Sequence, residues 1–134
     1  MSSLKDLKLA QKAANEQRQV VLELKLLVKD IERCEKTIVS LTGELESVNS
    51  KYQGRKTTRE DVAYLTDLLE CAKKKLAWEK PIASLQKRTP QVLEKMSKLI
   101  HDPQNPPSEE SRAQMLGFLQ AVQAAMERLQ SVHS

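Results

Sequence analysis

The sequence predicts an all-α fold: an antiparallel bundle of three to four helices with one long, coiled-coil-like hairpin. Three observations carry that expectation. Leu24, Leu27, Ile31, Cys34, Ile38, Leu41, Leu45, Val48 and Tyr52 recur at alternating steps of three and four, an unbroken heptad seam. Glycine occurs three times and the aromatics are only Trp78, Tyr52, Tyr64 and Phe118, while 30% of the chain is charged. That balance suits long exposed helices and lacks the β-branched runs and turn clusters of a β fold. Helix stop and start signals fall at Gly54, at Thr57 and around Pro103, Pro106 and Pro107.

The 134 residues suffice for one domain with one core, so 1–134 is expected to be a single helical unit. The first helix is expected over about 5–53. Ser3 caps its start, with Asp6 three residues on. Residues 1–9 read as a frayed beginning, and Ala10, Ala13 and Ala14 suit a solvated helix end. Val20 to Val28 is apolar beyond the seam, through Val21, Leu22, Leu26 and Val28, so this zone should meet at least two other helices, or one helix and a partner protein. Beyond Ile31 the seam narrows, with Val39 the main exception, and should touch one helix.

Gly54 suits a left-handed residue after the helix, and Thr57 with Glu60 reads as a capping box. The short connection implies an antiparallel neighbour. The second element is expected over about 58–88 with a kink at Pro81, followed by a short helix 90–101 restarted by Thr89 and Pro90. It opens with Val62, Leu65, Leu69, Ala72 and Leu76 at heptad steps. A parallel stripe of Leu68, Cys71, Trp78, Ile82 and Leu85 takes over further on. The last helix, about 108–132, is capped by Ser108 and presents Met115, Leu119, Val122, Met126 and Leu129. A hairpin centred near Gly54 puts residue 38 opposite about 71 and 24 opposite about 85. The last helix then lies beside Val20 to Val28.

The rival arrangement is a parallel homodimer through residues 24–52, with Ile31 and Ile38 at a and Leu27 and Leu41 at d. The flanks of that seam offer almost no complementary charge pairs, and the short loop supplies an intrachain partner at high effective concentration. The hairpin is therefore the expectation and a homodimer the alternative.

The +4 net charge is mild and sits mostly in residues 54–107. Lys51, Arg55, Lys56 and Arg59 gather at the hairpin tip, and Lys73, Lys74 and Lys75 follow on the second helix. Such a basic group could contact nucleic acid, a microtubule-like acidic surface or anionic lipid, or could simply be a solvated face. No aromatic residues interleave with it, against single-strand stacking. Cys34 and Cys71 are expected within about a helical turn of each other across the hairpin. As a metal pair they lack further ligands, since His101 and His133 fall elsewhere, so two buried thiols are expected and no metal or cofactor. No Gly-rich phosphate loop, CxxC or HExxH occurs, and no nucleophile–base constellation is visible. A non-enzymatic chain follows. The absence of an apolar leader or an apolar run of membrane-spanning length points to an intracellular, cytoplasmic protein, with cytoskeletal or nuclear placement compatible.

A long heptad helix, a short turn and a Pro-bent return helix together resemble the small helical subunits of intracellular scaffolds, such as centrosomal, spindle, ciliary and vesicle-tethering complexes. That resemblance implies a scaffold subunit engaged in protein–protein interaction. Ile38, Val39, Leu41 and Leu69 are the expected partner-binding residues, near the apolar surface left by the hairpin half.

Overall fold

The computed structural model describes residues 3–133, which form α1 (Leu4–Lys51), α2 (Thr58–Leu76), α3 (Glu79–Ile100) and α4 (Glu109–His133). No strand occurs among the described residues. The caps lie where the side chains predict. Ser3 and Asp6 form a reciprocal capping box at the start of α1, so the helix begins firmly at Leu4. Thr57 Oγ1 accepts from the Glu60 backbone N–H, while the Glu60 carboxylate accepts from the N–H of Lys56, one residue earlier than in a standard box. Ser108 Oγ accepts from Ser111 N–H and caps α4. Gly54 takes φ +82°, the left-handed conformation that releases the chain from α1.

The two prolines of the return element act differently from expectation. The interruption falls at Ala77 and Trp78, between α2 and α3, and not at Pro81 or at Arg88 to Pro90. Pro81 is still its cause. A proline ring collides with the carbonyl four residues back, which here is that of Ala77. The helix tightens there, with Trp78 N–H donating to Lys75 O, and restarts so that Pro81 occupies the first turn of α3, where no backbone donor is needed. Pro90 lies inside α3. Thr89 is not a cap; it is buried, and its hydroxyl donates to Leu85 O at 2.7 Å. The burial of Ile82, Leu85, Val92 and Met96 on either side holds α3 together across the missing bond. Pro90→Ala restores that bond at an exposed position and is expected to stabilise the protein by about 1–2 kcal/mol, below the ~3 kcal/mol of an unrelieved helix proline because Pro also restricts the unfolded chain. Urea unfolding measures this directly.

α1 is the spine on which the other three helices pack. Its lower part, Val20 to Ile38, joins α3 and α4 in a three-helix bundle whose core includes Leu24, Leu27, Ile31, Met115, Val122 and Leu129. The wide apolar zone meets two helices, with Val21 and Val28 packed against the core, whereas Leu22 and Leu26, which also widen it, remain exposed. Its seam is buried within the chain from Leu24 to Leu41. At the base, Gln17 Nε2 donates to Asn105 O in the α3–α4 loop, and Ala13 is buried although the alanine-rich start was expected to be solvated. α4 runs alongside α1 in the same direction, from this loop to an Arg128–Glu35 ion pair.

The register of the return helix differs from simple counting about Gly54. Glu44 meets Lys74, Asp30 meets Arg88 and Glu23 meets Lys95. Touching residues thus carry higher numbers than the expected pairs 38 with 71 and 24 with 85. Side-chain direction explains the sign of the offset. Each side chain leans toward its own helix N-terminus, so across an antiparallel pair both partners reach back and both contact numbers rise.

Candidate functional site

Two apolar stripes compete for α1 along the return path. One runs Tyr64, Leu68, Cys71, Lys75 and Trp78 and continues as Ile82, Leu85, Thr89, Val92 and Met96, without a phase shift across the break. The other is Val62, Leu65, Leu69, Ala72 and Leu76, and it ends there. At 100° per residue the two lie roughly a third of a turn apart on α2. The second stripe is the more apolar and was expected to face α1.

The structure turns the first stripe inward. Cys71 is buried, Tyr64, Leu68, Lys75 and Trp78 are half-buried, and Trp78 packs against the core at the transition from bundle to hairpin. Val62, Leu65, Leu69 and Leu76 stand 56–64% exposed. Continuity decides between them. The bundle fixes which face of α3 is buried, and α2 follows in phase through Trp78. Rotating the outer stripe inward would unwind that joint and expose part of the α3 core. The residues that sequence reasoning placed in the hairpin seam are thereby left on its outside. The unbroken heptad from 64 to 96 was the signal that could have found this.

Of the expected partner-binding residues, Val39 and Leu69 are exposed, whereas Ile38 and Leu41 are buried and present no surface. Their seam positions on α1 explain this, since α1 has one continuous apolar edge and the chain itself covers it. The exposed stripe of α2 is about 21 Å long from Val62 to Leu76 at 1.5 Å per residue. Among the other helices α2 packs appreciably against α1 alone, so this outer face is open.

The basic residues do not form one patch. Lys73, Lys74 and Lys75 lie about 21 Å along the helix from Arg59. Lys74 is paired with Glu44 at 3.3 Å. At the tip, Arg55 is committed to Asp61 at 2.8 Å and stacks over the Tyr64 ring at 4.0 Å. Lys51 lies over the Tyr52 ring at 5.1 Å, and Lys56 and Arg59 are exposed. The nearby Glu60 and Asp61 temper the potential that remains. Tyr52 and Tyr64 meet edge to face, with Tyr52 Oη donating to Asp67 and Tyr64 Oη to Asn49. The clasp sets two aromatic rings among the tip cations, where none was expected to interleave, and it went unseen because the expected stripe began at Leu68, one turn after Tyr64.

Cys34 lies in a groove with Trp78 and Leu85, and Cys71 in another with Glu44 and Val48, so the register offset separates the two thiols that counting had brought together. Both are free and buried, and burial pushes the Cys34 thiol up, away from the reactive thiolate. Among the described residues no cluster of three His, Cys, Asp or Glu side chains is placed to hold a metal ion, and no helix is long and apolar enough to cross a membrane. The chain is thus an all-α helical bundle with a projecting antiparallel helix pair. Comparison with protein-family models, curated proteins and solved structures finds no match to it.

Proposed function

We propose that this chain is a non-enzymatic helical interaction module, a small subunit of a larger intracellular assembly of scaffold, cytoskeletal or tethering type, which docks protein partners by helix–helix contact. The observation that carries this reading is the stripe of Val62, Leu65, Leu69 and Leu76, a heptad row left uncovered on a projecting helix. Exposed apolar residues scattered singly need no explanation, but a contiguous row at seam spacing is the geometry by which one helix accepts another. The alternative, a nucleic-acid or acidic-surface binder using the basic tip, is less well supported, because the cations are divided and two of them are already paired.

Affinity purification of the full chain from cells tests the reading. The Leu65→Asp, Leu69→Asp double variant is expected to lose at least about tenfold of any co-purified protein, the scale on which removing two anchors disrupts an interface. Retention of wild-type chain's partners by a folded double variant would overturn it. Binding that instead collapses as salt rises, and survives the double substitution, would establish the charge-driven alternative.

A further inference from the structure

We infer that the back of α1, opposite its buried seam, is a binding surface for an anionic lipid bilayer. The inference goes beyond the docking of protein partners on α2 and does not depend on it. Its basis is a charge separation that the fold creates and the sequence hides. α1 carries nine Lys and Arg against eight Asp and Glu, so as a sequence it is close to neutral. Four of those acids are engaged by cations of the other helices: Glu23 by Lys95, Asp30 by Arg88, Glu35 by Arg128 and Glu44 by Lys74. On the opposite side Arg18, Lys25, Lys29 and Lys36 fall within an arc of about 40°, at ~100° per residue. All four are exposed. Among the described residues Lys25, Lys29 and Lys36 have no ion-pair partner, and Arg18 bonds the neutral side chain of Asn15. No acid of α1 lies in that arc; half-buried Glu32 borders it on the side of Glu35.

Apolar residues on the same face select the occupant. Leu4, Leu7 and Leu22 lie in the arc or next to it, with Leu26 at its edge, and they are 51–69% exposed. Leucines set among lysines and arginines on one open face suit a helix lying in the plane of a membrane interface. The leucines enter the acyl boundary, and the long basic side chains reach back from it to the phosphate and carboxylate headgroups. The row from Leu4 to Lys36 belongs to one uninterrupted helix and is about 48 Å long, a nearly straight edge that matches a flat sheet of headgroups. Duplex nucleic acid fits it less well. Its phosphates curve away from a straight rod, a groove ~12 Å wide admits only a short length of helix, and the leucines gain nothing there. The row also has no aromatic side chain on which a single strand could stack. With four leucines along such a length the attraction is chiefly electrostatic, so attachment is peripheral, reversible and weakened by salt.

Co-sedimentation of the full chain with vesicles tests this. Binding is expected to phosphatidylcholine vesicles that contain phosphatidylserine, to fall as salt rises, and to be lost with phosphatidylcholine alone. A cation held at an anionic surface tightens binding about fivefold, so Lys25→Gln with Lys29→Gln should weaken it about 25-fold while the helical circular dichroism is unchanged. Leu22→Gln should weaken it severalfold through the loss of one inserted side chain. Lys56→Gln with Arg59→Gln, the same loss of charge at the hairpin tip, should leave it nearly unchanged. No binding to the anionic vesicles at low salt overturns the inference and leaves the interaction module standing. Equal binding to both kinds of vesicle overturns it as well, and so does a tip variant weakened as much as the α1 variant. Salt-sensitive binding of duplex DNA in place of vesicles, lost with Lys25→Gln and Lys29→Gln, overturns the assignment to lipid.

Discussion

Leu24→Ala is expected to lower the free energy of unfolding by about 3.5 kcal/mol, the middle of the range for a leucine removed from a packed core. Leu24 is 0% exposed and belongs to the cluster where α1, α3 and α4 meet. The cost combines the lost transfer free energy with the cavity left behind, because three helices on different lines cannot all close in on one gap. Against a total of about 5–15 kcal/mol for a domain, that is a large fraction of stability. The same truncation on the outer stripe, Leu65→Ala, removes an exposed side chain and is expected to change stability by less than about 0.5 kcal/mol. Urea unfolding of both variants, with unchanged dependence on denaturant, would check the pair. Equal losses would mean that the outer stripe is packed against something in the isolated chain.

The parts of this fold that were legible in the sequence are those set locally or by a single period. The α1 seam, the caps at Ser3, Thr57 and Ser108, the left-handed Gly54 and the proline-rich turn each follow from a few neighbouring residues. The parts that were not legible depend on competition. Pro81 signals a disturbance, but its effect appears at Ala77 because the clash acts on a carbonyl one turn back. Pro90 signals a break, but the apolar residues around it, buried against α1 and α4, outweigh the lost bond. The choice between the two α2 stripes was the most consequential case. Local hydrophobicity favours Val62 to Leu76, whereas phase continuity with α3 favours Tyr64 to Trp78, and continuity wins because the bundle buries more than the hairpin. The candidate site is the residue of that contest: Val39 is exposed outside the seam, Leu69 is exposed because the stripe expected to face α1 is turned outward, and Ile38 and Leu41 are buried.

Leu41→Asp and Leu69→Asp are therefore expected to behave as opposites, although both residues occupy seam positions in the sequence. Leu41 is 7% exposed, so a carboxylate there is drawn out of water at the α1–α2 contact. A buried unpaired charge costs several kcal/mol even after the protein relaxes, and the group escapes only by protonation or by local opening. The α1–α2 pair buries less than the three-helix bundle, so opening is the cheaper route. Leu41→Asp should release α2 from α1, with rapid hydrogen exchange across Thr58–Leu76, while protection in α3 and α4 persists. Leu69→Asp replaces a side chain already facing water and should cost only about 0.5 kcal/mol of helix propensity, with native exchange in α2 of the monomer. The comparison tests the rotation of α2 about its own axis, which the docking surface requires. Should Leu69→Asp open the hairpin and Leu41→Asp leave it closed, the leucine row would be the inner seam and no exposed stripe would remain for a partner to cover.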